Sequence, residues 1–411
     1  MSIFLPPQAE GLVKDFDHHA PALADENVLP AVHTILRERC PVHHTDAHGG
    51  YWVVSRYSDV AEVARNTDVF SSAYGVTIPG ARPMPGVPAN LAPPMMDPPE
   101  QTAIRKMLLP WFSPQSAKRR EPAIQRLADD LIDAIVDKKV CDLATEFAEP
   151  LPTLFMLRLL GIPDELWESL AQIIQHVAHG LADEADGPNM IDLSSWGPAL
   201  GPVLEIAEQR RVEPKDDLLT HLVQAEVDGE PLNPLQLLAL MFTLIGGGID
   251  TTANAIGSAI VHLGRDRELR QRLIENPSLM PHAVEEFFRM WPPFHALARY
   301  VKQDCEIGGQ PIKAGERILF VLGAANRDEN EFERAQTVDI DRQPNRHLTF
   351  GTGVHRCIGS NYARSELHIA LTRLLARLPN YQLLEEGVEL QTDIGMVYGY
   401  RSIRAELCPV G

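Results

Sequence analysis

The sequence predicts a mainly α-helical protein with small β-sheets, folded as one large domain over residues 1–411. Three observations carry that expectation. Apolar residues recur at helical spacing along much of the chain, whereas strand-like runs are short and confined to two places. No Ser/Gly-rich linker and no fixed-period repeat divides the sequence. The length alone would favour two or three domains, but nothing in the composition marks a boundary.

Helices are expected over 28–39, 57–66, 100–112, 119–138, 143–160, 164–180, 198–212, 216–226, 234–263, 266–275, 279–291 and 358–377. Asp164 after Pro163 and the pair Asn233-Pro234 are start signals. Strands are expected at Tyr51–Val54 and later at 296–301, 305–313, 317–321 and 396–406. Gly308-Gly309 reads as a hairpin turn between two of these runs, and Asp228-Gly229 as a second turn. Two segments lack periodicity: 72–99, with eight prolines, and the polar stretch 327–349. Long loops inside a compact domain are usually functional.

Of the 411 residues, 45% are apolar and 23% charged, as in an ordinary globular protein. The net charge of -19 argues against a general nucleic-acid binder, whose affinity comes from neutralising phosphates. It argues equally against an anionic membrane surface. The five cysteines are odd in number, widely spaced and form no CxxC pair, so neither a zinc ribbon nor a disulfide framework is expected. The N-terminus has no basic region followed by an apolar core. The longest apolar stretch, Leu235 to Ile245, spans 11 residues, against the 20 or so that a bilayer requires. A soluble, cytoplasmic protein is expected.

The strongest signal is the run Phe350-Gly-Thr-Gly-Val-His-Arg-Cys-Ile-Gly359. Gly351, Gly353 and Gly359 surround Cys357, and a helical pattern begins at once. A sulfur before a helix N-terminus faces free N–H groups and the positive end of the dipole, both of which lower a thiol pKa. The glycines allow tight turns and close approach of a flat ligand. Haem iron held by cysteine requires this combination. The plain alternative is a buried structural cysteine beside a turn. A dinucleotide loop is excluded, because Gly351-x-Gly353 lacks the third glycine.

On Phe350, Gly353, Cys357 and Gly359, the chain resembles the cytochrome P-450 haem-thiolate monooxygenases, bacterial soluble class. The resemblance implies the P-450 fold, haem b as cofactor, and Cys357 as the iron ligand. His355 stands where the family commonly has Arg, and would donate to a haem propionate. Gln101, Arg105, Arg299 and His347 match further propionate-contact positions. Gln101 stands where the family often has His.

In the middle of the predicted helix 234–263, about 45 Å long, lies Gly246-Gly-Gly-Ile-Asp-Thr-Thr252. Mid-helix glycines cost about 1 kcal/mol each against alanine. Close approach of a ligand, a local opening of the helix, or a packing notch would each account for them. The resemblance assigns this stretch to oxygen binding: Thr251 would hold water and protons there, and Asp250 would relay protons from solvent. Glu286 and Arg289, three apart, share one helix face. In the resembled family such a pair joins an arginine before the cysteine loop, here Arg342, in a structural network.

By resemblance the substrate is expected against the loop 72–99, with Tyr74; the central helix, with Leu244, Gly247 and Gly248; and His295, Leu297, Met396 and Val397. The loop 72–99 and the region 176–196, with Trp196, would form the lid. These residues are mostly apolar, which suggests a small hydrophobic substrate such as a terpenoid. Short strings, Asp97-Pro-Pro-Glu-Gln, Glu208-Gln-Arg-Arg211 and Gly247-Gly-Ile-Asp-Thr251, are most similar to camphor- and linalool-hydroxylating enzymes. No flavin or nicotinamide module is present, so electrons are expected from a separate 2Fe-2S ferredoxin and its reductase. Arg105, Lys106, Arg356 and Arg364 are candidates for its docking. A monomer acting on O2 is expected. Rival readings are a haem-thiolate peroxygenase and a non-catalytic haem sensor.

Overall fold

The computed structural model describes residues 6–79, 93–170, 172, 193–227, 229–393 and 395–408, with 193–200 described by backbone only. The expected region 176–196 and the middle of the loop 72–99 therefore fall mostly outside the described residues, as does Asp228.

The central helix runs unbroken over Pro234–Arg265. Its start is fixed by a reciprocal cap: Asn233 Oδ1 accepts from the Gln236 N–H at 2.9 Å, and Gln236 Oε1 from the Asn233 N–H at 3.0 Å. Pro234 supplies the first turn, where no N–H is required. By length and composition this helix could cross a bilayer, with a mean hydropathy of 1.3. Here it is the rod of the core, packed by the helices Pro150–Leu160 and Ser360–Arg377. Helix Pro114–Ile135 lies across Ser360–Arg377 on the far side.

The expected helix 143–160 is two elements, a π-helical turn Ala144–Ala148 and the helix Pro150–Leu160. Pro150 and Pro152 lack the N–H groups that a continuous ladder would use. The expected helix 119–138 begins earlier, at Pro114, because Ser113 Oγ accepts from the Ser116 N–H at 3.2 Å. A helix over Pro7–Lys14 lies outside the sequence expectation, with Pro7 in its first turn. The segment expected as helix 164–180 opens with a 3-10 turn, Asp164–Leu166.

The larger sheet has five strands in the order Val42–Thr45, Tyr51–Val54, Arg317–Phe320, Leu297–Val301 and Phe70–Ser71. All neighbours are antiparallel except Arg317–Phe320 with Tyr51–Val54. Gly308 and Gly309 turn the predicted hairpin at positive φ. A three-stranded sheet joins Gln382–Leu390, Tyr400–Glu406 and Val140–Asp142. The strand Gln382–Leu390 has no clean apolar alternation and carries a register shift, so the sequence gives no sign of it. The chain is thus helical with small sheets, as expected.

Candidate active site

The cysteine loop has little secondary structure and is held by specific bonds. Buried Asn326 accepts the Leu348 N–H at 2.7 Å and donates to Thr349 Oγ1 at 2.9 Å. Thr349 Oγ1 donates to the Phe288 carbonyl at 2.6 Å. The loop closes on itself where the Cys357 N–H donates to the Phe350 carbonyl at 2.7 Å. Gly353 sits at φ 70°, and a Cβ there would lie 3.2 Å from Arg65 Cα, so only glycine fits.

Below the loop lies a buried network. Arg289 donates through Nε and Nη2 to Glu286 at 2.8 and 2.7 Å, and both side chains are wholly buried. Arg342 Nε adds a contact at 3.2 Å, Asn345 Nδ2 one at 3.0 Å and the Asp339 N–H one at 2.8 Å. Burial pushes the Glu286 carboxyl up, but the Arg289 bonds and charge, the Asp339 N–H and the Arg342 charge together hold it below its ordinary value. The three residues singled out in the sequence therefore meet. Arg289 also donates to the carbonyls of Asn326, Ala335 and Thr337, tying the polar stretch before the loop.

Around Cys357 the charges gather as follows. Cys357 is an exposed residue of the loop, with protein packed around its sulfur. Burial raises its pKa, while the Gly359 N–H and the charges of Arg105, Arg364 and Arg356 pull the other way. The helix terminus acts as expected, yet burial outweighs it, which corrects the expectation of a lowered thiol pKa. His355 is pushed down to about 4 by burial, by Arg299 and by Arg105, so it is neutral. Its Nε2 lies 3.2 Å from Ser72 Oγ. Arg299 is buried, its guanidinium lies 4.9 Å over the Phe320 ring, and its Nε has no partner among the described residues. Burial lowers its pKa to about 10. Gln101 is buried, and its Nε2 donates to the Val354 carbonyl of the loop at 2.8 Å.

On the central helix, Gly247 is exposed within an otherwise core element, and nothing lies within 4 Å of where its Cβ would stand. A Cβ on Gly248 would strike Met156. Thr251 Oγ1 donates to the Gly247 carbonyl at 2.8 Å. The expected local opening of the helix is not formed, because this hydroxyl is satisfied inside the ladder. Asp250 and Leu244 are buried.

Several expected site residues are placed elsewhere. His347 is buried with Nε2 3.1 Å from Glu285 Oε2, and Arg364 binds the same carboxylate at 2.6 and 2.9 Å. Burial pushes Glu285 up, but its bonds to His347 and Arg364 hold it down at about 2. Arg364 is thus committed within the fold, leaving Lys106 and Arg356 as the exposed cations of the expected docking patch. Tyr74 is 61% exposed and stacks on Tyr300 at 4.2 Å, on the surface. His295 packs beside His33, rings 5.8 Å apart, and lines a cavity that no cysteine-loop residue lines. Val397 is buried and bridges Phe294, while Leu297 and Met396 are half-buried. Glu285 is a residue of this region that the local sequence does not single out, since its partners His347 and Arg364 lie 62 and 79 residues away.

The donor set suits haem b. An unsatisfied buried guanidinium nitrogen on Arg299, the nearby Arg105 and neutral His355 match anionic propionates, and Gly247 leaves open space on the exposed face of the central helix. The profile of the family described as cytochrome P450 matches residues 201–387. Cytochrome P450 130 of Mycobacterium tuberculosis is 35% identical over 361 residues, covering 86% of this chain and 89% of its own. Among solved structures, Mycobacterium marinum CYP268A2 in complex with pseudoionone has a TM-score of 0.86 at 27% identity, covering 95% of this chain and 97% of its own. CYP109E1 of Bacillus megaterium in complex with testosterone has a TM-score of 0.81 at 27% identity, covering 92% and 97%. The chain belongs to the cytochrome P450 family, and it is accordingly a haem b enzyme of the monooxygenase class.

Two outcomes follow from these electrostatics. Glu286→Gln leaves Arg289 and Arg342 without their counter-charge, and should cost about 3–5 kcal/mol, seen as a lower urea midpoint. Glu149 is raised from 4.5 to about 7 by burial and by the charges of Asp250 and Asp142. The folded chain therefore holds this proton more tightly than the unfolded one. Its stabilising effect is complete below about pH 4.5 and is lost as pH rises through about 7. Glu149→Gln should accordingly gain thermal stability relative to the parent at about pH 8, but not at about pH 4.

Proposed function

We propose that the Cys357 sulfur would hold the haem iron, and that the chain is an O2-dependent monooxygenase for a small, neutral, hydrophobic substrate. The observation that carries this is the closed cysteine loop, with the Gly359 N–H on the sulfur and three arginines around it. Bound haem supplies the activation of O2. The chain supplies the rest. Gly359 and the arginines temper the charge on sulfur. Arg299, Arg105 and His355 orient the propionates, and Gln101 fixes the loop beside them. Thr251 and Asp250 hold and pass protons on the central-helix face. Phe350, whose ring lies 4.3 Å under the Arg364 guanidinium, and Gly353 shape the loop.

The substrate reading rests on Leu244, Gly247, Gly248, Leu297, Met396 and Val397, which carry no charge. The complexes of relatives with pseudoionone and testosterone accord with an apolar ligand, and a terpenoid is the first class to try. The loop 72–99 and the region 176–196 serve as lid in this reading of one domain over 1–411. Electrons come from a separate 2Fe-2S ferredoxin, docked through Lys106 and Arg356. The protein acts in the cytoplasm as a monomer.

The reduced, carbon-monoxide-treated protein should show the strongly red-shifted Soret band of thiolate-bound iron, and Cys357→His should lose it. A band at the histidine-ligated position in the parent would overturn the assignment. Thr251→Ala should divert electrons to hydrogen peroxide and lower product per electron pair by roughly 10²-fold. Unchanged coupling would remove Thr251 from proton delivery. Absence of any electron consumption in the parent would favour the sensor.

A further inference from the structure

We infer that a second cavity, remote from the cysteine loop, binds a small organic carboxylate with a flat apolar body. The cavity has a volume of about 370 Å³, at the small end of small-molecule sites. It lies between the helix Val28–Arg39, the last turns of the central helix and the Tyr398–Tyr400 segment. Neither Cys357, Thr251, Arg105 nor Arg299 lines it.

Three features select the ligand. The first is Arg327, a half-buried guanidinium lining the cavity, around which the packed protein lowers the pKa to about 10. Its Nη2 donates to the Met290 carbonyl at 2.9 Å, and among the described residues no carboxylate pairs with it. A half-buried cation facing a cavity without a counter-ion is poorly compensated, and a ligand carboxylate would supply one. The second is a pair of buried polar groups lining the same cavity, Ser258 Oγ and His33 Nε2, with no partner among the described residues. Burial keeps His33 neutral. Arg265 also lines the cavity but is held by Glu26 and Glu385, so Arg327 is left to balance one negative charge, whereas a dianionic phosphate would leave a charge unpaired. The third is the wall, where Trp291, Pro30 and Val338 offer flat apolar surface. At the mouth Glu26 is already engaged, by Arg265 at 2.7 Å and by the Tyr400 hydroxyl, so it does not compete for Arg327.

The test uses haem-loaded protein and 4-fluorobenzoate, followed by ¹⁹F line broadening, with imidazole on the iron to block the haem side. Saturable binding that imidazole leaves unchanged is expected. The neutral isostere 4-fluorobenzamide should bind at least tenfold more weakly to the same unaltered protein. Arg327→Met should weaken 4-fluorobenzoate at least tenfold. Val338→Trp, which fills the wall without touching the charge, should abolish binding in protein that keeps its parental melting temperature. No saturable binding, equal affinity for acid and amide, or displacement by imidazole would each overturn the assignment. The Soret position under carbon monoxide is independent of all these readings, so failure here and failure of the haem assignment are separable.

Discussion

The structure depends on one buried carboxylate. Glu286 gathers two guanidinium groups, a backbone N–H and an amide, and lies with Arg289 completely out of solvent. The stretch 327–349 has almost no regular structure to satisfy its own backbone. Arg289 does so in part, reaching the carbonyls of Ala335 and Thr337 within it and of Asn326 just before it. The cysteine loop starts where this stretch ends. Its position is therefore inherited from an ion network rather than from a strand or helix, and buried polar groups must be paired in full or not at all.

Around the sulfur, opposing terms of similar kind decide the outcome. A helix N-terminus and three arginines favour the thiolate, while enclosure by protein favours the thiol. In the protein alone enclosure wins. With haem iron bound, Cys357 would carry no proton, and the three arginines would act on the charge left on its sulfur. The same enclosure keeps His355 neutral and leaves Arg299 charged but poorly satisfied. Donors of this make-up suit an anionic group.

Much of this was legible in the sequence, and for local reasons. The central helix announces itself through Asn233, Pro234 and Gln236, all within one turn. Glu286 and Arg289 pair at helical spacing, and the glycines of the cysteine loop sit where the backbone requires them. What could not be read depends on distant partners. Nothing near His347 foretells Glu285, and nothing near His295 foretells His33. Tyr74 lies outward because Tyr300, from another strand, receives its ring. The proline-divided helix at 150 was legible in principle, since Pro150 and Pro152 stand in the sequence. The edge strand Gln382–Leu390 was not, because charged edge strands carry no apolar alternation.

The depth of the Glu286 network separates two properties that surface ion pairs would couple. At physiological ionic strength charges are screened over roughly 8 Å of water, but this pair meets no water. Lys106 and Arg356 are exposed and feel that screening in full. Added salt thus weakens the long-range field of these two cations while leaving the seat of the sulfur where it was. Ionic strength can therefore tune what the surface attracts without loosening the centre beneath it.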